Sequence, residues 1–195
     1  MHEGRIALRD NILTISGTAR SGADYQALLA MVEEQAPQGL VLARAEIEAP
    51  RAERYLWSAT RDASGTIALS GMVPNADDEA LLLAAAGEGA VESMTYASGE
   101  PNTFLASAQK AIDLLQWLRD GQVVYDGQNW LLTGTANSAV DKAAIEADFA
   151  ARQLAASGWS MAVAAPPPEV QEVSPYLWSA TKSVDGITLM GHVPV

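Results

Sequence analysis

Asp77, Asp78 and Glu79 stand side by side, and paired carboxylates are a common means of hydrolytic acid and base catalysis. No His or Lys stands near them to complete such a site. Adjacent acids at the start of a helix ordinarily serve as partners of the helix dipole, and they are read that way here. Glu33-Glu34 reads as a solvated helix face. The two imidazoles, His2 and His192, lie in a terminal tail and in an incomplete unit at the other end, so neither a catalytic dyad nor a metal site is expected. The absence of cysteine removes disulfides, thiolate ligands and a Cys nucleophile together, and leaves the redox compartment undetermined. A calcium loop, a phosphate-binding Gly-rich loop and a Ser nucleophile elbow are also missing. No catalytic, cofactor or metal residue is assigned. For ligand binding the candidates are Trp57 and Trp178, because aromatic faces suit sugars and lipid interfaces. A Trp in a hairpin that faces a helix is more often core, and this applies equally to Trp117, Trp130 and Trp159.

Both candidates sit in a repeated word. Tyr55-Leu56-Trp57-Ser58-Ala59-Thr60 returns unchanged as Tyr176-Leu177-Trp178-Ser179-Ala180-Thr181, and each copy leads to Gly-x-Val-Pro, at Gly71 to Pro74 and Gly191 to Pro194. An identical six-residue word containing Trp is far beyond chance, so the chain is built by repetition.

The elements that carry these residues follow from periodicity. Residues 4–18 alternate as a hairpin turning at Asp10-Asn11. Ser21 caps a helix that Pro37 and Gly39 stop, and Leu40 to Ile47 form a third strand. The second unit repeats this order: strand Tyr55 to Arg61, strand Thr66 to Val73, helix Asp77 to Ala86 ended by Gly87 and Gly89, and strand Val91 to Tyr96. Ser98-Gly99-Glu100-Pro101 reads as a linker. Phe104 to Leu118 is an amphipathic helix with no counterpart before the first unit. A third unit follows, with strands at Val123 to Tyr125 and Trp130 to Gly134, a helix from the cap Ser138 to Gly158, and strand Trp159 to Ala164. Pro166-Pro167-Pro168 connects it to the second Trp-bearing hairpin, whose helix and last strand are absent. Glycines 17, 71, 134 and 191 are read as fold markers, each ending a hairpin strand.

The expected fold is α+β, made of strand-strand-helix-strand units with small three-stranded sheets covered by helices. Two pairs are expected: 1–97 (units 1–50 and 51–97) and 104–195 (a complete unit 104–165 and a truncated hairpin 169–195), joined by a linker at 98–103. Both ends are clipped relative to this pattern, which suggests a piece of a longer protein. Leu177, Ile187 and Leu189 lack a helix to cover them and should be covered by another module or a second chain.

With 195 residues, 49% of them apolar, the chain can bury a real core. Its net charge of −12, from 12 basic and 24 acidic residues, argues against a nucleic-acid partner, which would need clustered Lys and Arg. The longest clean apolar run, Ala80 to Ala86, is far short of the roughly 18 residues of a spanning helix. No signal peptide is visible in this chain.

The unit pattern resembles the BON family of small bacterial envelope domains, and the tandem arrangement resembles the repeat region of OmpA-like proteins. The third unit carries the likeness best, through Val123-Val124-Tyr125 and Leu131-Leu132-Thr133-Gly134-Thr135-Ala136 between two helices. The resemblance implies a periplasmic or outer-membrane-associated location and a non-catalytic role, with phospholipid or peptidoglycan as the partner. The function expected is an envelope module that tethers or spaces a larger protein by binding a membrane or cell-wall component. The alternative is a protein–protein assembly module that uses exposed sheet edges for self-association or for contact with flanking domains.

Overall fold

The computed structural model describes residues 3–33, 41–167 and 178–191. Strands β1 (Glu3–Arg9) and β2 (Ile12–Thr18) form the first hairpin, with Asp10 and Asn11 at φ 49° and 69°, the left-handed pair that suits a two-residue turn. Helix α1 (Gly22–Glu33) crosses back to β3 (Val41–Glu48), which pairs parallel with β2. Ser21 accepts the backbone N–H of Asp24, as its capping role requires. The expected stops at Pro37 and Gly39 lie outside the described residues.

The second unit has strands β4 (Trp57–Arg61) and β5 (Ile67–Val73), helix α2 (Ala76–Ala86) and strand β6 (Val91–Tyr96). The third has helix α3 (Phe104–Gln116), strands β7 (Leu118–Tyr125) and β8 (Trp130–Ala136), helix α4 (Ala139–Ala151), a short 3-10 turn (Leu154–Ser157) and strand β9 (Trp159–Ala164). Strands β10 (Trp178–Ser183) and β11 (Gly186–Gly191) form the last hairpin. The chain is α+β, as expected.

One sheet joins the second and third units. Its order is β6-β5-β4-β7-β8-β9, and its centre is an antiparallel pairing of β4 with β7 that sets Trp57 opposite Tyr125, Ala59 opposite Val123 and Arg61 opposite Gly121. Each half repeats the other: a hairpin, then a helical crossover to a parallel outer strand. The expectation of small three-stranded sheets therefore describes the first unit, β1-β2-β3, whereas the second and third units share six strands. The physical reason is that β4 and β7 each offer an alternating apolar face and an open edge, and α3 covers both at once with Phe104, Ala108, Ala111, Ile112 and Leu115, all buried.

The expected linker at 98–103 consequently lies between two halves of one sheet, and it is tied down. Ser98 bridges to Arg51, its N–H donates to Pro50 O at 2.9 Å, and its hydroxyl donates to Ala49 O at 3.0 Å. The first unit docks there through α1, where Tyr25 meets Tyr96 edge-on at 5.2 Å.

Two helix ends differ from expectation. Helix α3 stops at Gln116, because Leu118 is drawn into β7 and fully buried while Trp117, between them, is exposed. Helix α4 stops at Ala151 rather than reaching Gly158: Gln153 takes a left-handed φ of 51°, and the 3-10 turn that follows inserts Leu154 into the core. Of the hairpin glycines, Gly191 ends its strand as expected, whereas Gly17, Gly71 and Gly134 lie within theirs. Gly71, at φ +101°, faces Trp57 so closely that a Cβ would stand 2.7 Å from the Trp57 Cα, and Gly134 meets Gly121 Cα at the same distance. These two positions require glycine.

Candidate functional site

Trp57 belongs to an aromatic cluster drawn from both halves of the large sheet and centred on Trp130. Its ring meets Phe104 edge-on at 6.1 Å and Trp130 at 5.6 Å. Trp130 in turn stacks on Tyr125 at 4.7 Å and on Trp159 at 5.0 Å, and Tyr55 meets Phe104 at 5.0 Å. All six side chains are buried. Such pairs contribute roughly 0.5–1.5 kcal/mol each beyond their area burial, so the cluster binds the two units to each other. It leaves Trp57 no free face, which removes that residue as a ligand platform. The Trp57 Nε1 and the Tyr55 hydroxyl are buried without a hydrogen-bond partner among the described residues. Burial, with the negative charges of Glu100 and Asp78, pushes the Tyr55 hydroxyl well above its ordinary range.

Trp178, the second candidate, is exposed on β10. Ile187 and Leu189 of β11 are exposed with it, while Tyr176, Leu177 and the terminal His192 lie outside the described residues, as does His2. On the first sheet, Ile6 and Leu8 of β1 are exposed as well. Trp130 and Trp159 are core, as expected of a Trp in this setting; Trp117 is not.

The acids at the start of α2 have a fuller environment than a helix dipole alone. Asn75 caps the helix by accepting the Asp78 N–H at 2.8 Å, and the Tyr96 hydroxyl donates to Glu79 Oε2. Burial raises the Asp78 carboxyl, and Glu100 and Asp77 raise it further. Burial also raises Glu79, against the lowering effect of the Tyr96 hydrogen bond, with Glu92 adding to the rise. The structure thus brings Glu92 of β6 and Glu100 to Asp77, Asp78 and Glu79. Glu92 and Tyr96 share one face of β6 at strand spacing, a signal present in the sequence but overlooked. Asp78 and Glu79 hold protons more readily than free carboxylates would, and their hydrogen-bond partners are Asn75 and Tyr96 rather than a nucleophile or an imidazole. Among the described residues no group of three or more His, Cys, Asp or Glu side chains is placed to hold a metal ion.

An open groove of about 770 Å³ lies where the second unit meets the β7–β8 turn and is lined by Arg51, Arg54, Tyr55, Gly99 and Asp126. Arg54 Nε donates to the Asp126 carbonyl at 2.5 Å, and the Asp126 carboxylate accepts the N–H groups of Asn129 and Gln128, which hold its carboxyl below the usual range. These bonds fix the turn to the body. No described helix is long and apolar enough to cross a membrane. No family model and no curated protein matches the chain.

Proposed function

We propose that this chain is a non-catalytic module of the bacterial cell envelope that spaces or tethers a larger protein by contact with a membrane or cell-wall component. The observation that carries the non-catalytic part is the fusion of two units around Trp57: the centre of the body, where facing elements converge, is filled by aromatic rings, and the acids lie at the surface end of α2. The envelope part rests on the likeness of each unit to BON domains. The partner proposed is phospholipid or peptidoglycan. Co-sedimentation of the chain with neutral vesicles, anionic vesicles and purified peptidoglycan at physiological salt tests it. The expected result is recovery in the pellet with at least one of the three, and a chain that stays in the supernatant with all three would overturn it.

A second reading, assembly with other proteins through open sheet edges, is favoured by the exposure of β1 and β10.

A further inference from the structure

Strands β10 and β1 are the twins of strands that meet inside the molecule. Strand β10 repeats the Trp-Ser-Ala-Thr of β4, and the hairpin registers agree: Trp57 faces Gly71 and Trp178 faces Gly191. Strand β1 repeats β7 in the same sense, with Gly121 facing Gly134 as Gly4 faces Gly17, and Tyr125 facing Trp130 as Leu8 faces Leu13. In the large sheet β4 and β7 pair antiparallel. Their twins stand in two separate sheets, each with one edge open among the described residues.

We propose that β10 of one copy of this chain pairs antiparallel with β1 of a second copy, in the register that β4 and β7 use inside the molecule. This inference rests on the assembly reading and names its partner. Transferred residue by residue, the register sets Trp178 opposite Leu8, Ser179 opposite Ala7, Ala180 opposite Ile6, Thr181 opposite Arg5 and Lys182 opposite Gly4. Opposite residues of an antiparallel pair share a face. Trp178, Ala180, Ile6 and Leu8 therefore come together, as Trp57, Ala59, Val123 and Tyr125 do in the large sheet.

The exposures fit an interface that is complete in one place and vacant in the other. Trp57, Val123 and Tyr125 are 1%, 0% and 6% exposed, whereas Trp178, Ile6 and Leu8 are 58%, 67% and 60% exposed. The open edge of β3 does not compete on the same grounds. Strand β3 is the twin of β6 and β9, which form the outer edges of the large sheet, so the repeat assigns it no antiparallel neighbour on that side. The two complementary edges lie on different sheets of one chain, so the contact is heterologous: it closes as a reciprocal dimer or ring, or runs on head to tail.

The chain lacks cysteine, so engineered thiols have no competitors. An Ala7→Cys variant is mixed with a Ser179→Cys variant and oxidised. Opposite residues in an antiparallel pair have Cα atoms about 4.5–5.5 Å apart, within disulfide reach. The expected result is a disulfide-linked heterodimer that forms at least about tenfold faster than in a mixture of Ala7→Cys with Ser183→Cys, which is out of register. Light scattering on the unmodified chain, from low to hundreds of micromolar, is expected to show dimers or larger species, and Ile6→Lys should weaken that association about tenfold. Should Ile6→Lys fail to fold, the crosslinking contrast still decides. A monomer at every concentration overturns both this inference and the assembly reading. Association with no preference between positions 179 and 183 overturns this inference alone.

Discussion

The two Trp-bearing hairpins share a six-residue word and occupy opposite environments. Trp57 is buried among Phe104 and Trp130, while Trp178 is exposed on a two-stranded ribbon. Strand sequence alone does not make a core. What distinguishes the first hairpin is its company: β7 completes its edge, α3 covers its inner face and α2 leads on to β6. A two-stranded hairpin is marginal in water, and a third strand with a covering helix changes that. The same word is thus a core element where partners are supplied and an open edge where they are not.

That contrast can be broken by substitution, and the largest effect falls at its centre. Trp57→Ala should destabilise the chain by about 3–5 kcal/mol, through lost transfer energy and a cavity among rings that cannot collapse onto one another. Trp178→Ala, in dilute solution, should change stability by less than about 0.5 kcal/mol. Urea titration of both variants checks the pair, and equal losses would mean that the hairpins do not differ as described. Gly71→Ala comes next. Its φ of +101° and the nearby Trp57 backbone leave no room for a methyl group, so the variant should lose about 2 kcal/mol or more. The midpoint of thermal unfolding reads this directly, and an unchanged midpoint would show that β4 and β5 are not so closely apposed.

A smaller effect than either core substitution concerns charge. The Asp78 carboxyl is raised by burial first and then by Glu100 and Asp77. A folded-state value above the unfolded one means that the folded chain takes up the proton more readily, so the ionised group opposes folding at neutral pH, and this opposition fades as pH falls through the folded value. Burial and like charge here outweigh the lowering effect of the Asn75 hydrogen bond. Asp78→Asn should therefore stabilise the chain near pH 7 by less than about 1 kcal/mol, since the site is largely solvated, and the gain should shrink toward about pH 4. Urea titrations at both values check it; a gain that grows on acidification would reverse the assignment.

Local order was legible in the sequence wherever a residue pattern had one physical reading. The strands at Val91–Tyr96 and Trp159–Ala164 have the expected bounds, and Ser138 caps its helix by accepting the Asp141 N–H at 3.0 Å. The joining of β4 to β7 was not legible. Alternation shows that a strand has an apolar face but not which of several open edges it will meet, because that choice depends on a helix and a strand tens of residues away. Gly99 and Pro101 likewise read as linker residues, and they serve equally well in the short, tied connection that is observed. Of the two ligand candidates, Trp57 and Trp178 were indistinguishable by local sequence, and only their partners separate them. The carboxyls of α2 are raised by burial first and then by Glu100, Asp77 and Glu92; the spacing of Glu92 and Tyr96 puts them on one face of β6, but the approach of that face to α2 follows from the crossover of the chain.

The central claim is that the second and third units form one body through β4 and β7, while β10 stands outside it. Amide hydrogen exchange resolved along 57–61, 121–125 and 178–183, in solution dilute enough to separate copies, tests this most directly. The account predicts that the amides of β4 and β7 engaged in the central ladder are among the slowest to exchange and that those of β10 exchange close to the rate of an open chain. Fast exchange throughout 57–61 and 121–125, matching that of 178–183, would contradict it.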